Sequence, residues 1–111
     1  MGIRFYNSYS RKKELFKPII DGEVGLYTCG PTVYDFAHIG NFRTFIFEDL
    51  LKRWLIHNGY NVTHIMNITD LDDKTIAKAK TQKVDLRIIT EKYTKQFMND
   101  LRWLKILPAD K

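Results

Sequence analysis

The spacing of apolar residues changes twice between residues 24 and 69. Residues 24–30 and 60–69 are short runs rich in β-branched and aromatic side chains, and each run predicts a strand. Between them, apolar residues recur every three or four positions, which predicts an amphipathic helix from about Gly40 to a cap at Asn58 and Gly59. Its predicted apolar positions are Phe42, Ile46, Phe47, Leu50, Leu51, Trp54 and Leu55, and its predicted polar side carries Arg43, Glu48, Lys52 and Arg53.

The segments on either side have different patterns. Residues 3–10 predict an extended arm, residues 10–19 a polar surface connection and residues 21–25 a turn. After the second strand, a polar turn leads into a short helix capped by Asp72 or Asp73. Residues 85–106 predict a long helix capped by Asp85, with Pro108 stopping the run. The apolar stripe predicted for that helix consists of Ile89, Tyr93, Phe97, Leu101 and Leu104.

The order strand, helix, strand predicts a right-handed parallel βαβ unit, because parallel strands need a crossover of this length. The fold class is therefore α/β: the N-terminal half of a Rossmann-like nucleotide-binding domain, with parallel strands and flanking helices. Two parallel strands make only half of such a sheet. We therefore expect residues 1–111 to be the N-terminal portion of a domain that continues after Lys111.

Composition narrows the class of protein without naming it. The chain of 111 residues is 44% hydrophobic and 28% charged, which argues against disorder along its length. The net charge of +5 permits a polyanionic partner but does not identify one. The single cysteine excludes an internal disulfide framework, and no segment has the length and apolar character of a membrane span. We expect a cytoplasmic location and no membrane partner.

The junction between the first strand and the helix carries the candidate chemistry. Ligands of open α/β sheets bind beyond the carboxyl ends of the strands, where a helix N-terminus also favours phosphate. His38 and Asn41 lie three residues apart at the start of the helix, and both can donate hydrogen bonds to phosphate oxygens. Gly40 has no side chain, so a ligand can lie against the backbone there. The spacing is weak evidence alone, because His-x-Gly before a helix is common.

The other candidate residues have simpler explanations when they are considered singly. Cys29 could be a metal ligand or a nucleophile, but a free cysteine is more often a buried, small apolar residue. His57 suits a helix C-terminus, and His64 reads as a hydrogen-bonded residue of the sheet. No histidine stands at zinc-ligand spacing from Cys29, so the residues alone complete no zinc site. At the end of the second strand, turn and cap chemistry explains the aspartates Asp70, Asp72 and Asp73, whereas Asn67 and especially Thr69 stand beside the expected crevice.

Taken together, two runs of sequence resemble a known family. Residues 27–55 read YTCGPTVYDFAHIGNFRTFIFEDLLKRWL, and residues 61–76 read NVTHIMNITDLDDKTI. In this order they closely resemble the N-terminal part of the cysteinyl-tRNA synthetases, which are class I aminoacyl-tRNA synthetases, and the resemblance extends over nearly the whole chain. The run His-Ile-Gly-Asn is similar to the class I "HIGH" signature, with Asn41 in the last position as a usual variant.

The resemblance implies an ATP-dependent reaction with Mg²⁺, in which L-cysteine becomes cysteinyl-adenylate and is transferred to tRNA(Cys). It implies that Cys29 is the first of four protein ligands of a Zn²⁺ ion that binds the thiolate of the substrate. By the same resemblance, Gly30, Thr32 and Thr69 would contact the amino and carboxylate groups of cysteine. The ATP-binding residues would be His38, Gly40 and Asn41, with His38 and Asn41 as the catalytic pair.

The resemblance also indicates what is missing. The other zinc ligands, the "KMSKS" loop and the anticodon-binding domain of this family lie beyond the position of Lys111, so we expect the chain to be inactive alone. Two other functions stay open at this point. One is a related ligase that joins cysteine to the amine of a small sugar, as in mycothiol synthesis. The other is a paralogue that binds nucleotide or RNA without catalysis.

Overall fold

The computed structural model describes residues 2–111 as four strands and three helices. In chain order these are β1 (Arg4–Asn7), β2 (Lys12–Leu15), β3 (Glu23–Thr32), α1 (Ile39–His57), β4 (Asn61–Thr69), α2 (Asp73–Gln82) and α3 (Leu86–Trp103).

The central unit is a parallel pair of strands joined by a helix. β3 and β4 are neighbours in one sheet, with Glu23 opposite Asn61 at one end and Thr32 opposite Thr69 at the other. α1 connects them and ends at His57, with Asn58 as the cap. The predicted βαβ unit and the α/β fold class are thereby confirmed. β3 is longer than the strand predicted over residues 24–30, since it begins at Glu23 and also includes Pro31 and Thr32.

The helices cover one face of this sheet. Val24, Thr28 and His64 point to the covered face and are buried, whereas Tyr27 and Ile65, on the open face, are 63% and 42% exposed. Two hydrophobic clusters join the helices to the strands. One consists of Phe42, Phe45, Phe97 and Leu101, and the other of Val33, Ala79, Ile89 and Tyr93. The stripe predicted for α3 is therefore confirmed, except for Leu104, which is the exposed C-cap residue.

The N-terminal segment differs from the prediction. Residues 3–10 and 10–19 do not form an arm and a connection, since β1 and β2 pair as an antiparallel hairpin with Arg4 opposite Leu15. Phe16 follows the hairpin and stacks edge-on against Phe5 and Tyr60, with ring centroids 5.4 and 5.8 Å away. The hairpin was missed because both of its strands are polar and exposed, and their pattern lacks a buried face.

The buried side of α1 also differs from the prediction. Phe42 and Leu55 are buried as expected, but Phe47 and Leu50 are 66% and 63% exposed, and Lys52 is 6% exposed. The helix carries apolar residues around most of its circumference, so their spacing does not decide which side meets the sheet. The side that does so includes two polar residues, Asp49 and Lys52, whose charged ends have partners elsewhere in the chain.

Those partners belong to residues 105–111, which we call the C-terminal segment. The Nζ of Lys52 donates to the carbonyl of Pro108 at 2.9 Å and lies 3.5 Å from Oδ2 of Asp110. Oδ1 of Asp49 accepts from the N–H of Leu107 at 2.8 Å, while Oδ2 accepts from Nε of Arg53 at 2.7 Å. Polar side chains of α1 thus attach the C-terminal segment to the rest of the structure.

The end of the C-terminal segment lies alongside β4. The N–H of Lys111 donates to the carbonyl of His64 at 3.3 Å, and the N–H of Met66 donates to the carbonyl of Lys111 at 3.0 Å. One residue bonded to two alternate residues of its neighbour is the pattern of parallel pairing. The backbone N–H of His64 also donates to Oδ2 of Asp110 at 2.8 Å. β4 therefore has β3 on one edge and the end of the C-terminal segment on the other.

His64 lies beneath this junction. It is 3% exposed, and its Nε2 is 2.9 Å from Oγ1 of Thr28 on β3, which agrees with its prediction as a residue of the sheet. Its other ring nitrogen, Nδ1, has no hydrogen-bond partner among residues 2–111. Burial lowers the pKa of His64, the Lys52 ammonium lowers it further, and the carboxylates of Asp110 and Asp49 act in the opposite direction. The folded structure therefore favours the neutral imidazole.

Replacing Asp49 by alanine tests the attachment of the C-terminal segment. The substitution leaves the half-buried N–H of Leu107 without its acceptor, so we expect the free energy of unfolding to fall by about 1–3 kcal/mol. Urea denaturation of the chain measures this change, and hydrogen exchange at the Leu107 amide should accelerate. Glu91→Ala on the exposed surface of α3 is the matched control, expected within about 0.5 kcal/mol of the unsubstituted chain. Equal losses in the two variants would contradict the assignment.

The pH dependence of stability tests the burial of His64. Because its folded pKa lies below the ordinary value of 6.5, the unfolded chain takes up a proton first on acidification. The stabilising contribution is complete above that value and is lost as the pH falls through the folded pKa. Denaturation at roughly pH 7.5 and 5.5 should show a larger loss for the unsubstituted chain than for His64→Gln. Burial raises the pKa of Glu48, which acts in the opposite direction but is common to both proteins. Parallel pH profiles would refute the prediction.

Candidate functional site

An irregularity at the carboxyl ends of β3 and β4 shapes the candidate site. Cys29 is opposite Asn67 and Thr32 is opposite Thr69, so β3 contains one more residue than β4 over this stretch. Such a bulge changes the direction in which the following side chains point. The N–H of Val33 donates to the carbonyl of Thr69 at 3.1 Å and closes the sheet at this end. The bulge therefore brings Thr32 and Thr69, which were predicted to share a pocket, to opposite positions on neighbouring strands.

Gly30 lies within the bulge, where the two strands approach most closely. Its N–H donates to Oδ1 of Asn67 at 2.9 Å, and a Cβ at this position would collide with the backbone carbonyl of Asn67. The lack of a side chain is thus required by the strand pairing itself. Its N–H is already bonded, so any contact of Gly30 with the amino acid, as the resemblance implies, stays a prediction.

Cys29 is exposed, contrary to the expectation of a buried apolar residue. It points to the open face of the sheet, as does its neighbour Asn67, and so its thiol is accessible. Residues 2–111 contain no group of three or more histidine, cysteine, aspartate or glutamate side chains that could hold a metal ion. The described residues therefore offer a zinc ion one thiolate but do not form a zinc site by themselves.

His38 and Asn41 form a reciprocal cap at the start of α1. Nδ1 of His38 accepts from the N–H of Gly40 at 3.0 Å, and Oδ1 of Asn41 accepts from the N–H of His38 at 3.1 Å. An Nδ1 that accepts carries no proton, so the neutral imidazole has its proton on Nε2. Likewise, the bond to Oδ1 leaves the Nδ2 amide of Asn41 free to donate. The cap therefore restricts the orientations of two side chains and leaves each of them with one donor group that the cap does not use.

Gly40 also has a structural reason to lack a side chain, and its predicted contact with ATP stays a prediction. A Cβ there would lie 2.8 Å from Cε1 of His38, so the glycine makes room for the imidazole ring. The backbone N–H groups of Asn41 and Phe42 both bond to the carbonyl of His38, at 2.9 and 3.2 Å. The N–H groups of Gly40, Asn41 and Phe42 are therefore used within the cap and the first turn.

A cleft of about 250 Å³ opens in front of this cap. It is lined by residues 31–38, Asn41, Lys74, Tyr93 and Phe97. Of the predicted site residues, Thr32, His38 and Asn41 therefore share the cleft. Cys29, Gly30 and Thr69 lie beside it at the ends of β3 and β4, and the pairing of Thr32 with Thr69 connects the two groups.

Sequence reasoning missed Lys74, which lines the same cleft as His38 and Asn41. Its Nζ lies 5.3 Å from the ring centroid of Tyr34, a cation–π arrangement. The run DLDDKTI was interpreted only as turn and cap chemistry, and that part is correct, since Oδ1 of Asp72 accepts from the N–H of Lys74 at 2.8 Å. A lysine immediately after a helix cap and close to a predicted crevice was the available signal.

Another lysine balances the one carboxylate of the cleft. Asp35 accepts from Nζ of Lys78 at 2.8 Å, and this bond, with the N–H of Phe36, lowers the pKa of Asp35.

None of the helices in the described part of the chain is both long and apolar enough to cross a membrane.

Comparison with known proteins assigns the family. A family model described as the catalytic domain of class I (C) tRNA synthetases matches residues 15–111. Three proteins named cysteine--tRNA ligase are similar to the chain. The Chlamydia pneumoniae protein is 59% identical over 98% of the chain, that of Brachyspira hyodysenteriae is 55% identical over 96%, and that of Thermococcus kodakarensis is 50% identical over 99%. In each case the match covers 23% of the relative. The chain thus spans less than a quarter of the length of these relatives, and it belongs to the family of class I (C) tRNA synthetase catalytic domains.

Proposed function

We propose that the chain is the N-terminal portion of the catalytic domain of a cysteine–tRNA ligase. In the longer protein, the carboxylate of L-cysteine would react with ATP to give cysteinyl-adenylate and pyrophosphate. The cysteinyl group would then pass to the terminal ribose of tRNA(Cys), and AMP would be released. The observation that carries the proposal is the cap at the start of α1, whose residues His38 and Asn41 both line the cleft and each keep a side-chain donor that the cap does not use. The exposed thiol of Cys29 stands on the adjoining strand end. The similarity to proteins named cysteine--tRNA ligase supports the choice of substrate.

His38 and Asn41 would act on the phosphates of ATP, which binds with Mg²⁺. Nε2 of His38 and Nδ2 of Asn41 donate hydrogen bonds to phosphate oxygens while the carboxylate of cysteine attacks the α-phosphorus. Charge builds up on those oxygens in the transition state, where fixed donors stabilise it most. Because the cap fixes both side chains before the ligand arrives, little reorganisation is needed.

The amino acid would lie at the ends of β3 and β4. The hydroxyls of Thr32 and Thr69 are placed to contact its amino and carboxylate groups, and Gly30 allows the two strands to approach there. Cys29 would supply one thiolate ligand to a Zn²⁺ ion whose other ligands come from outside residues 2–111. A bound zinc ion would favour the soft thiolate of cysteine over the hydroxyl of serine. The net charge of +5 suits a tRNA partner, and we propose a cytoplasmic location.

A chimera tests the proposed activity. The matching N-terminal part of the Chlamydia pneumoniae relative is replaced by this chain, to which it is 59% identical. We expect the chimera to catalyse cysteine-dependent exchange between ATP and pyrophosphate, and to charge tRNA(Cys). The substitution His38→Asn is then the informative variant, because asparagine is also a good helix cap but lacks the Nε2 donor. Its exchange rate should fall about 100-fold or more, with unchanged thermal unfolding. A chimera that folds but does not exchange, or a fully active His38→Asn variant, would overturn the proposal.

The zinc content of the same chimera tests the role of Cys29. We expect Cys29→Ser to lower the bound zinc, measured by elemental analysis of the purified protein, by at least about tenfold at limiting free zinc, since a hydroxyl binds zinc far more weakly than a thiolate. Thr63→Ser, on the same exposed face of the sheet, is the control and should retain its zinc. An undiminished zinc content in Cys29→Ser would exclude Cys29 as a ligand.

A further inference from the structure

Lys74 provides the cleft with a positive charge. Its side chain lines the cleft together with His38 and Asn41, although it comes from α2 and they come from the start of α1. We propose that Lys74 binds the polyphosphate chain of ATP in the same cleft as the His38 and Asn41 donors. This inference rests on the proposed function and adds a specific phosphate-binding residue to it.

The position of Lys74 is fixed from two sides. Its ammonium lies 5.3 Å from the ring centroid of Tyr34, which also lines the cleft. Its backbone is held by the cap of α2, where Oδ1 of Asp72 accepts from the N–H of Lys74 at 2.8 Å. The same cap is closed by Thr75, which is completely buried and donates to the carbonyl of Asp72 at 2.7 Å. A long side chain that is otherwise flexible therefore starts from a rigid turn and rests on an aromatic ring.

The positive charge of Lys74 is not neutralised by a carboxylate within the described structure. Its Nζ forms no ion pair with a carboxylate among residues 2–111, whereas Lys78, one turn further along α2, pairs with Asp35 at 2.8 Å. Asp35 is the carboxylate that lines the cleft, and Lys78 neutralises it. The cleft thus has a free ammonium, an imidazole N–H and an amide NH₂, and its one negative charge is balanced. Such a set of donors selects an anion with several oxygens.

The size of the cleft indicates which kind of anion it can hold. A volume of about 250 Å³ is below the range of about 300–1,000 Å³ that is typical of pockets for a whole drug-sized ligand. It suits a phosphate chain better than an entire nucleotide, and the base and ribose would then lie outside it. A phosphodiester of the tRNA has the same chemistry, but RNA binding would favour an open, extended basic groove over a small cleft. We therefore assign Lys74 to ATP.

Kinetics of the chimera described above test this assignment. Lys74→Gln removes the charge and keeps a polar side chain of similar length. We expect the KM for ATP in ATP–pyrophosphate exchange to rise roughly tenfold or more, because a charge-assisted contact to phosphate is lost. The KM for cysteine should stay within about twofold, since cysteine lies at the strand ends and not at Lys74. Lys74→Arg, which keeps the charge, should recover most of the affinity for ATP.

The matched control is Lys92→Gln. Lys92 also lies over aromatic rings, 5.2 Å from Tyr93 and 5.9 Å from Phe36, but it does not line the cleft. The Lys92→Gln variant should therefore have an unchanged KM for ATP. Equal effects of Lys74→Gln and Lys92→Gln would show a general effect of charge and would overturn the assignment. If Lys74→Gln raises the KM for tRNA(Cys) and leaves the KM for ATP unaltered, the assignment is also overturned. Lys74 would then be a residue that binds RNA. Because the unsubstituted chimera must first be active, failure of Lys74 is distinguishable from failure of the proposed function.

Discussion

The buried ammonium of Lys52 connects the parts of this structure that are most distant in the chain. It comes from the middle of α1, bonds to the carbonyl of Pro108 and lies next to Asp110, whose carboxylate in turn accepts from the backbone of His64 on β4. A charge in a nearly closed environment is costly unless it has partners, so burying it constrains where the C-terminal segment can lie. With Asp49 and Arg53, it places the end of that segment beside β4 in parallel register. The position of the C-terminal segment against α1 and β4 depends on this polar junction.

The candidate site has a different basis, since it depends on short-range geometry at the ends of elements. The cap at His38 joins residues at most three positions apart, and the bulge after Cys29 involves a few residues of two neighbouring strands. These local arrangements are held in place by the hydrophobic clusters behind them, which include Val33 and Phe42 close to the cleft. The rigid interior therefore positions the cleft, while polar groups at the ends of helices and strands give it its chemistry.

Local signals account for the features that could be predicted from the sequence. The βαβ unit, the caps at Asp72 and Asp85 and most of the stripe of α3 follow from residues within a few positions of one another. The buried state of Lys52 could not be predicted, because its partner Pro108 is 56 residues away and α1 is apolar around most of its surface. The β1–β2 hairpin was missed for a related reason, since neither strand has a buried face. Lys74 was overlooked because its contact with Tyr34 joins two segments that only the tertiary fold brings together.

The single extra residue in β3 has a consequence for how the site tolerates change. On one side of the bulge, Cys29 presents its thiol to the open face of the sheet, and beyond it Thr32 lines the cleft on the way to His38. In an uninterrupted strand, Cys29 and Thr32 would face opposite sides of the sheet, because they are three residues apart and side chains alternate strictly between the faces. The extra residue shifts this phase and puts Thr32 in register with Thr69, two residues after Asn67, the partner of Cys29. The stretch between Cys29 and Thr32 must therefore keep its length, and it must keep Gly30, where a side chain would collide with the carbonyl of Asn67. Losing or gaining one residue would take Thr32 out of register with Thr69 and change the position of the thiol relative to the cleft.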